Sequence, residues 1–267
     1  MAADSTAPRI VILGAGTAGT LTANRLRRAL PANAVITVVD ESTEHVYKPG
    51  LLFIPFQARE PGGMCRPRAA QLRHGVTFVR ARVERVDLPR RTVHLATAPA
   101  LGYDVLVVAT GAVLAPSETD GLAEALAAGT DVHTFYSLDG ARALARMLRE
   151  FDGGRLVVDV VDLPIKCPVA PLEFCFLADD YFRRRGIRER VQLTFVTPLD
   201  AAFTKPVAAA TLSTLLQRKG IELVTEFNTG TVDGSGRSLV SYDGRELSYD
   251  LAVVVPLHSG AEFVRHS

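Results

Sequence analysis

Short apolar runs bounded by glycine or proline set the rhythm of this chain. Arg9–Leu13 (RIVIL) is continuously apolar after its first residue and stops at Gly14, which predicts a strand buried on both faces of a parallel sheet. Residues 17–30 place Ala18, Leu21, Leu26, Ala29 and Leu30 at roughly helical spacing and end before Pro31. Residues 35–39 are apolar and β-branched, so strand, helix and strand follow one another as a βαβ unit. An irregular stretch, 47–67, carries Pro49, Pro55, Pro61 and Pro67. Alternation then begins, with Val79, Ala81 and Val83 on one face and Arg80, Arg82 and Glu84 on the other. Pro89-Arg90-Arg91 turns the chain and Thr92–Leu95 returns, predicting an antiparallel meander with one wet face. Residues 103–111 (YDVLVVATG) predict another buried strand ending in glycine.

The pattern then restarts. Helices are predicted over 138–151, 171–185 and 207–219, and strands over 155–161, Val191–Val196 and Ile221–Val224. Residues 238–242 and 246–249 flank the turn Asp243-Gly244, and Leu251–Val255 (LAVVV) is a last apolar strand. No sequence repeat is present, but the architecture repeats. The expected fold class is α/β with two Rossmann-like dinucleotide-binding domains, each a parallel sheet with helices plus a β-meander. The expected divisions are 1–112, an inserted domain over 113–256, and a returning segment over 257–267.

Composition narrows the class. In 267 residues, hydrophobic side chains make up 48% and charged ones 22%, which is globular rather than disordered or fibrous. Thirty basic and 29 acidic residues give a net charge of +1, so no charge excess calls for nucleic acid. No apolar run approaches the roughly 18 residues of a membrane span. The N-terminus MAADSTAPRI lacks the basic and apolar regions of a secretory signal. Three cysteines do not make a disulfide scaffold, so a reducing, cytoplasmic setting is expected. The six histidines show no metal-ligand spacing, and no metal is expected.

The candidate chemistry begins after the first strand. Gly14-Ala15-Gly16-Thr17-Ala18-Gly19 reads GxGxxG between a strand and a helix. The first glycine permits the turn, the second lets a pyrophosphate approach the backbone, and the third packs helix on strand. The phosphates then meet the N–H groups and positive end of the helix, at Thr17 and Ala18 among others. Asp40, at the end of the second strand, is placed to accept ribose hydroxyls. With no arginine beside it in sequence, it fits a bare ribose. The bland reading is that the glycines only shape a turn and Asp40 caps a loop.

The corresponding place in the second half differs. After the predicted strand at 155–161 the chain reads Val161-Asp162-Leu163-Pro164-Ile165-Lys166-Cys167-Pro168, with no glycine. Asp162 adds negative charge and the two prolines remove backbone donors, so a pyrophosphate has no bed here. A thiol stands instead at a strand end, with Lys166 beside it and Glu173 soon after. A thiolate is a soft nucleophile, Lys166 can lower its pKa, and Glu173, in the first turn of the next helix, satisfies the helix dipole. Cys175 reads as core, and Cys65 as a loop thiol. Asp179, Asp180 and Arg183 to Arg185 read as ion pairs on a solvated helix face.

PIKCPVAPLEFCFLADDYFRRRG, HVYKPGLLFIPF at 45–56 and GTAG in the first loop resemble the sulfide:quinone oxidoreductases, FAD-dependent flavoproteins with two dinucleotide-binding domains. The resemblance covers essentially the whole chain. It implies FAD on the first domain, held by Gly14, Gly16, Thr17, Ala18, Gly19 and Asp40. Tyr47, Pro49 and Gly50 would run beside the flavin, and Thr110 and Gly111 would carry the chain over the nucleotide. It also implies Cys167 as the redox cysteine facing the flavin, with Glu173 as an acid that relays a proton. Sulfide or a small thiol would be the reductant and a membrane quinone the acceptor. Peripheral contact with the inner face of the membrane and self-association are further expectations. In that family a Gly-Asp flavin loop, a second redox cysteine and amphipathic helices follow the counterpart of LAVVVP. These 267 residues hold none of them, so a fragment, a truncated form and a degenerate relative all stay open. So do an NADH:quinone or ferredoxin-type reductase and a non-catalytic nucleotide-binding protein.

Overall fold

The computed structural model describes residues 7–57 and 62–267; residues 1–6, where a signal would begin, and Pro61 lie outside them. The chain divides into two compact units. One takes the chain up to Tyr47 with Gly63–Val113 and Gly260–Ser267, and the other takes Lys48–Gly62 and Leu114–Ser259. Pro49 belongs to the second of these units.

The sheet of the first unit runs in the order Val76–Arg80, Val35–Asp40, Arg9–Leu13, Val105–Val108, all parallel. Successive side chains of a strand point to opposite faces, and both faces of Arg9–Leu13 and Val35–Asp40 are covered, whereas the edge strand Val105–Val108, expected to be buried, leaves Val105 and Val108 exposed. Ile10, Ile12, Ile36 and Val38 pack with Ala23, Leu26 and Leu30, from the helix Thr17–Ala29 and the residue that caps it. Val11, Leu13 and Val39 pack on the other face with Val86, Val93, Leu95 and Tyr103. That explains the uninterrupted apolar runs.

The alternation at 79–84 is not one strand. Val76–Arg80 joins the parallel sheet, and Val83–Asp87 pairs antiparallel with Thr92–Leu95. Both strands have one apolar face, so period two carries straight through the break between them. The proline-rich stretch is also more ordered than expected. Glu44–Val46 pairs with Cys65–Pro67, and Lys48–Phe56 is a 3-10 helix.

The second unit has five parallel strands in the order Val132–His133, Leu251–Val255, Gly154–Val160, Val191–Val196, Ile221–Val224. All of Leu251–Val255 is buried, as its central place requires. One face packs against Leu122 of a short helix, Val232 and Leu239 of the antiparallel strands Thr229–Asp233 and Ser238–Ser241, and Tyr249, which follows the strand Glu246–Ser248. The helix Ala170–Arg184 lies against Gly154–Val160 and Val191–Val196, as a strand-helix-strand crossover demands. Both units are Rossmann-like, the architecture read from the sequence.

Candidate functional site: a glycine loop and a thiol segment

In the first unit the three loop glycines do different work. Gly14 has φ +96°, and a Cβ there would lie 2.5 Å from the carbonyl oxygen of Ala109. The loop therefore presses on the end of the strand Val105–Val108, next to Thr110 and Gly111, both predicted to serve the nucleotide. A Cβ on Gly19 would lie 1.8 Å from the Gly14 carbonyl oxygen, so the first helical turn sits directly on the loop. Gly16 is the exception, because a Cβ there meets nothing within 4 Å. The helix begun by Thr17 and Ala18 has no side-chain cap and no acid in its first turn. Open space at Gly16 before an uncapped helix N-terminus is a cradle suited to a diphosphate.

Asp40 is held in place by the loop it serves. One carboxylate oxygen accepts the Ala15 N–H at 2.8 Å and the other accepts the Ser42 N–H at 3.0 Å. The oxygen facing Ser42 keeps a second lone pair for a ribose hydroxyl.

Arg68 was not found by sequence reasoning. Its Nη1 lies 3.4 Å from Asp40 and also donates to the Ala15 carbonyl, and its Nε is buried without a partner. An arginine therefore does stand beside Asp40, brought there by the strand Cys65–Pro67 and the turn of helix that follows it. No local motif marks it, because it lies far from Asp40 along the chain. An unpaired guanidinium N–H beside the glycine loop adds a donor for an anionic ligand. The residues present thus fit the FAD that the sequence implied.

In the second unit, the segment after Gly154–Val160 has another form. Nine residues separate the end of that strand from Ala170, where the helix starts, against three between Leu13 and Thr17. Asp162 and Pro168 are exposed, and so is Cys167. Cys167 has φ +85°, a conformation that costs a non-glycine residue about 1–3 kcal/mol and concentrates at functional positions. Its carbonyl oxygen accepts from the Ala170 N–H at 2.8 Å and from the Tyr136 hydroxyl at 3.3 Å, which hold the backbone and leave the thiol outward.

Around Cys167 lies a polar cluster drawn from several elements. Tyr136 precedes the helix Leu138–Glu150, and its ring stands edge-on to His258 at 5.3 Å. Burial, and after it the negative charges of Cys167 and Glu173, push the Tyr136 phenol up, so it stays a proton donor. Glu173 is exposed in the first turn of Ala170–Arg184, where it also satisfies the helix dipole. Lys166 is half-buried, and burial, followed by repulsion from Lys48 and a side-chain contact with it, brings its pKa down to about 8. Tyr136, Lys48 and His258 carried no sequence signal; only the fold gathers them.

The remaining expectations separate. Cys175 is fully buried, and burial pushes its thiol far up, which makes it core. Cys65 is half-buried in its short strand. Asp179 is not on a solvated face. Its side chain is fully buried and takes bonds from Arg188 at 2.7 Å, Lys219 at 2.8 Å and Arg183 at 3.1 Å. Burial alone would raise its pKa, but those three cations outweigh it and hold the carboxyl low. Helical spacing predicted Arg183; tertiary packing supplied the other two. Among the described residues, no helix is long and apolar enough to cross a membrane.

Comparisons with known proteins agree with this architecture. The chain is 24% identical over 219 residues to the mitochondrial sulfide:quinone oxidoreductase of Mus musculus, covering 82% of this chain and 48% of that protein. It is 25% identical over 258 residues to the mitochondrial sulfide:quinone oxidoreductase of Dictyostelium discoideum, covering 93% of this chain and 56% of that one. The chain thus spans about half the length of these curated relatives. Its fold is similar to the solved sulfide:quinone oxidoreductase of the hyperthermophilic bacterium Aquifex aeolicus, with a TM-score of 0.83 at 20% identity, covering 97% of this chain and 61% of that structure. The family model for pyridine nucleotide-disulphide oxidoreductases matches residues 8–158, which is more than half of the chain. The chain therefore belongs to the pyridine nucleotide-disulphide oxidoreductases, a family of FAD-dependent flavoproteins.

Proposed function

We propose that this chain forms the nucleotide-binding and thiol-bearing parts of a sulfide:quinone oxidoreductase-like enzyme. The observation that carries the reading is the segment after Gly154–Val160. It presents an exposed, conformationally fixed thiol where a second dinucleotide site would need glycines. FAD, when bound at the Gly14–Gly19 loop, supplies an acceptor for an electron pair. Gly16 and the N–H groups of the first helix would hold its diphosphate. Asp40 would take the ribose and Arg68 would add positive charge.

The protein's own part is to bind and oxidise sulfur. The Cys167 thiolate and hydrosulfide become a cysteine persulfide, releasing one proton and two electrons. FAD would be the group that takes the electron pair, and a quinone its final acceptor. Glu173, exposed and close enough to Tyr136 to act on its phenol, would take the proton. The Tyr136 hydroxyl keeps the Cys167 backbone in place, so the thiol keeps its direction through the cycle. Quinone as acceptor, and peripheral contact of the intact enzyme with the membrane that carries it, belong to this proposal.

The visible spectrum tests it. Sulfide should bleach the flavin band of the FAD-loaded protein, and Cys167→Ser should abolish the bleaching. Bleaching that survives Cys167→Ser removes Cys167 as the entry point. Rapid bleaching by NADH but not by sulfide replaces this reading with a nicotinamide-dependent one.

A further inference from the structure

Within the second unit, a row of aromatic rings leads from the 3-10 helix Lys48–Phe56 to the backbone of Cys167. That helix is anchored by Leu51, Leu52 and Ile54, all buried, and lies against the helices Leu138–Glu150 and Ala170–Arg184. Its last ring, Phe56, is half-buried and tilts onto Phe174, with the centroids 4.8 Å apart. Phe174 is fully buried and stacks on Phe135 at 5.0 Å, with 9° between the ring planes. Phe135 meets Tyr136 at 4.8 Å, and the Tyr136 hydroxyl ends the row on the Cys167 carbonyl oxygen.

Rings are rigid, and in a close-packed interior a shift of one is passed to the next rather than absorbed. Phe135 and Tyr136 are also neighbours in the chain, so Tyr136 follows Phe135. The final link is the easiest to break. At 3.3 Å it is longer than the roughly 2.5–3.0 Å of an ordinary O–H···O bond, and a small further displacement ends it. The residue it holds is strained, with φ +85°, and the same carbonyl accepts the Ala170 N–H. Without the Tyr136 bond, Cys167 is freer to relax toward negative φ and to turn its thiol from the outward direction.

We propose that Phe56 is a positioning residue for the Cys167 thiol. Its ring closes the far end of the row, so that Phe174, Phe135 and Tyr136 stay in register and the Tyr136 hydroxyl stays on Cys167. Truncation of Phe56 opens a space beside Phe174 into which Phe174 and Phe135 move, while Leu51, Leu52 and Ile54 keep the 3-10 helix in place. The importance of this for catalysis rests on the function proposed above; the control of the thiol's direction does not.

The test is alkylation of the reduced full chain by iodoacetamide, with Cys167 and Cys65 followed separately by peptide mass spectrometry. Cys65, in the first unit, is the internal reference. Phe56→Ala should slow labelling of Cys167 at least threefold and leave Cys65 unchanged. Tyr136→Phe removes only the hydroxyl and should slow Cys167 to the same extent. The double variant should be no slower than either single one, because both break the same link. Phe56→Tyr keeps the ring and should keep the parental rate. Leu239→Ala, in a core cluster that contains none of these rings, should lower the melting temperature without changing the Cys167 rate. An unchanged or faster rate in Phe56→Ala, additive slowing in the double variant, or equal slowing by Leu239→Ala overturns the proposal. The outcome is separable from the parent reading. Cys167-dependent bleaching of the flavin with no effect of Phe56 on alkylation rejects only the positioning role. Coupled slowing by Phe56 and Tyr136, with bleaching that ignores Cys167, rejects only the thiol's part in the reaction.

Discussion

The two segments that follow the leading strands of the two sheets solve opposite problems with the same scaffold. In both, a buried strand flanked by parallel neighbours ends and a helix begins nearby. After Leu13 the chain turns at once, with Gly14 and Gly19 folded against backbone and Gly16 facing open space. The outcome is a short loop of backbone donors with no side chains in the way. After Val160 the chain takes a longer path between prolines and ends on a residue with positive φ that is not glycine. The outcome is one side chain held out and few donors. A phosphate needs many weak N–H contacts, whereas a sulfur nucleophile needs a single atom in a set direction. On the proposed function, the difference in loop length and glycine content follows from that difference in ligand.

The sharpest way to break the comparison is at the glycine loop. Gly19→Ala should destabilise the first unit by ~3 kcal/mol or more, since its Cβ would overlap the Gly14 carbonyl at 1.8 Å. Thermal unfolding with and without FAD measures it. Gly16→Ala is the control: it should leave apoprotein stability within about 0.5 kcal/mol of the parent. It should nevertheless weaken FAD retention at least tenfold, because its methyl group enters only the ligand's space. Equal effects of the two substitutions would erase the distinction drawn between them.

A second test concerns the strand that leads into the thiol segment. Asp159 on Gly154–Val160 is fully buried, with both oxygens bonded to the Thr229 hydroxyl. Burial raises its pKa to about 7, against a smaller opposing effect of the Thr229 bond. The folded state thus holds a proton that the unfolded chain releases near pH 4. Stability should be greatest below that point, fall as pH rises toward about 7, and then level off. The total loss should be a few kcal/mol. Asp159→Asn should flatten this part of the profile, as read by urea unfolding from pH 4 to pH 8. An unchanged slope would mean that another group carries it.

The smallest effect sharpens the account of Cys167. If its backbone is strained, Cys167→Gly should be more stable than Cys167→Ala by ~1 kcal/mol, the reverse of the usual order in ordered structure. Alanine equal to or better than glycine would show that the φ of +85° carries no cost.

How much was legible beforehand follows the range of the interactions involved. Apolar runs, the GxGxxG loop and its loss in the second half are local in sequence, and they located both Rossmann-like units and the exposed Cys167. Errors arose where local patterns continued across a real break, as at 79–84, or where spacing matched the wrong environment, as at Asp179. A helix periodicity correctly paired Asp179 with Arg183. It could not show that the carboxylate is buried and shared with Arg188 and Lys219.

By itself, then, the sequence determined the element order, the glycine loop after the first strand and the glycine-free, cysteine-bearing segment at the corresponding place in the second half. Each of those is written in neighbouring residues through backbone freedom, period and donor count. Only the tertiary structure decided that Arg68 reaches Asp40, and that Lys48, Tyr136 and His258 gather near Cys167. Those groups lie tens of residues apart, and folding brings them together by burying apolar surface that has no chemistry of its own. The polar partners meet as a consequence of that packing, which no local pattern encodes.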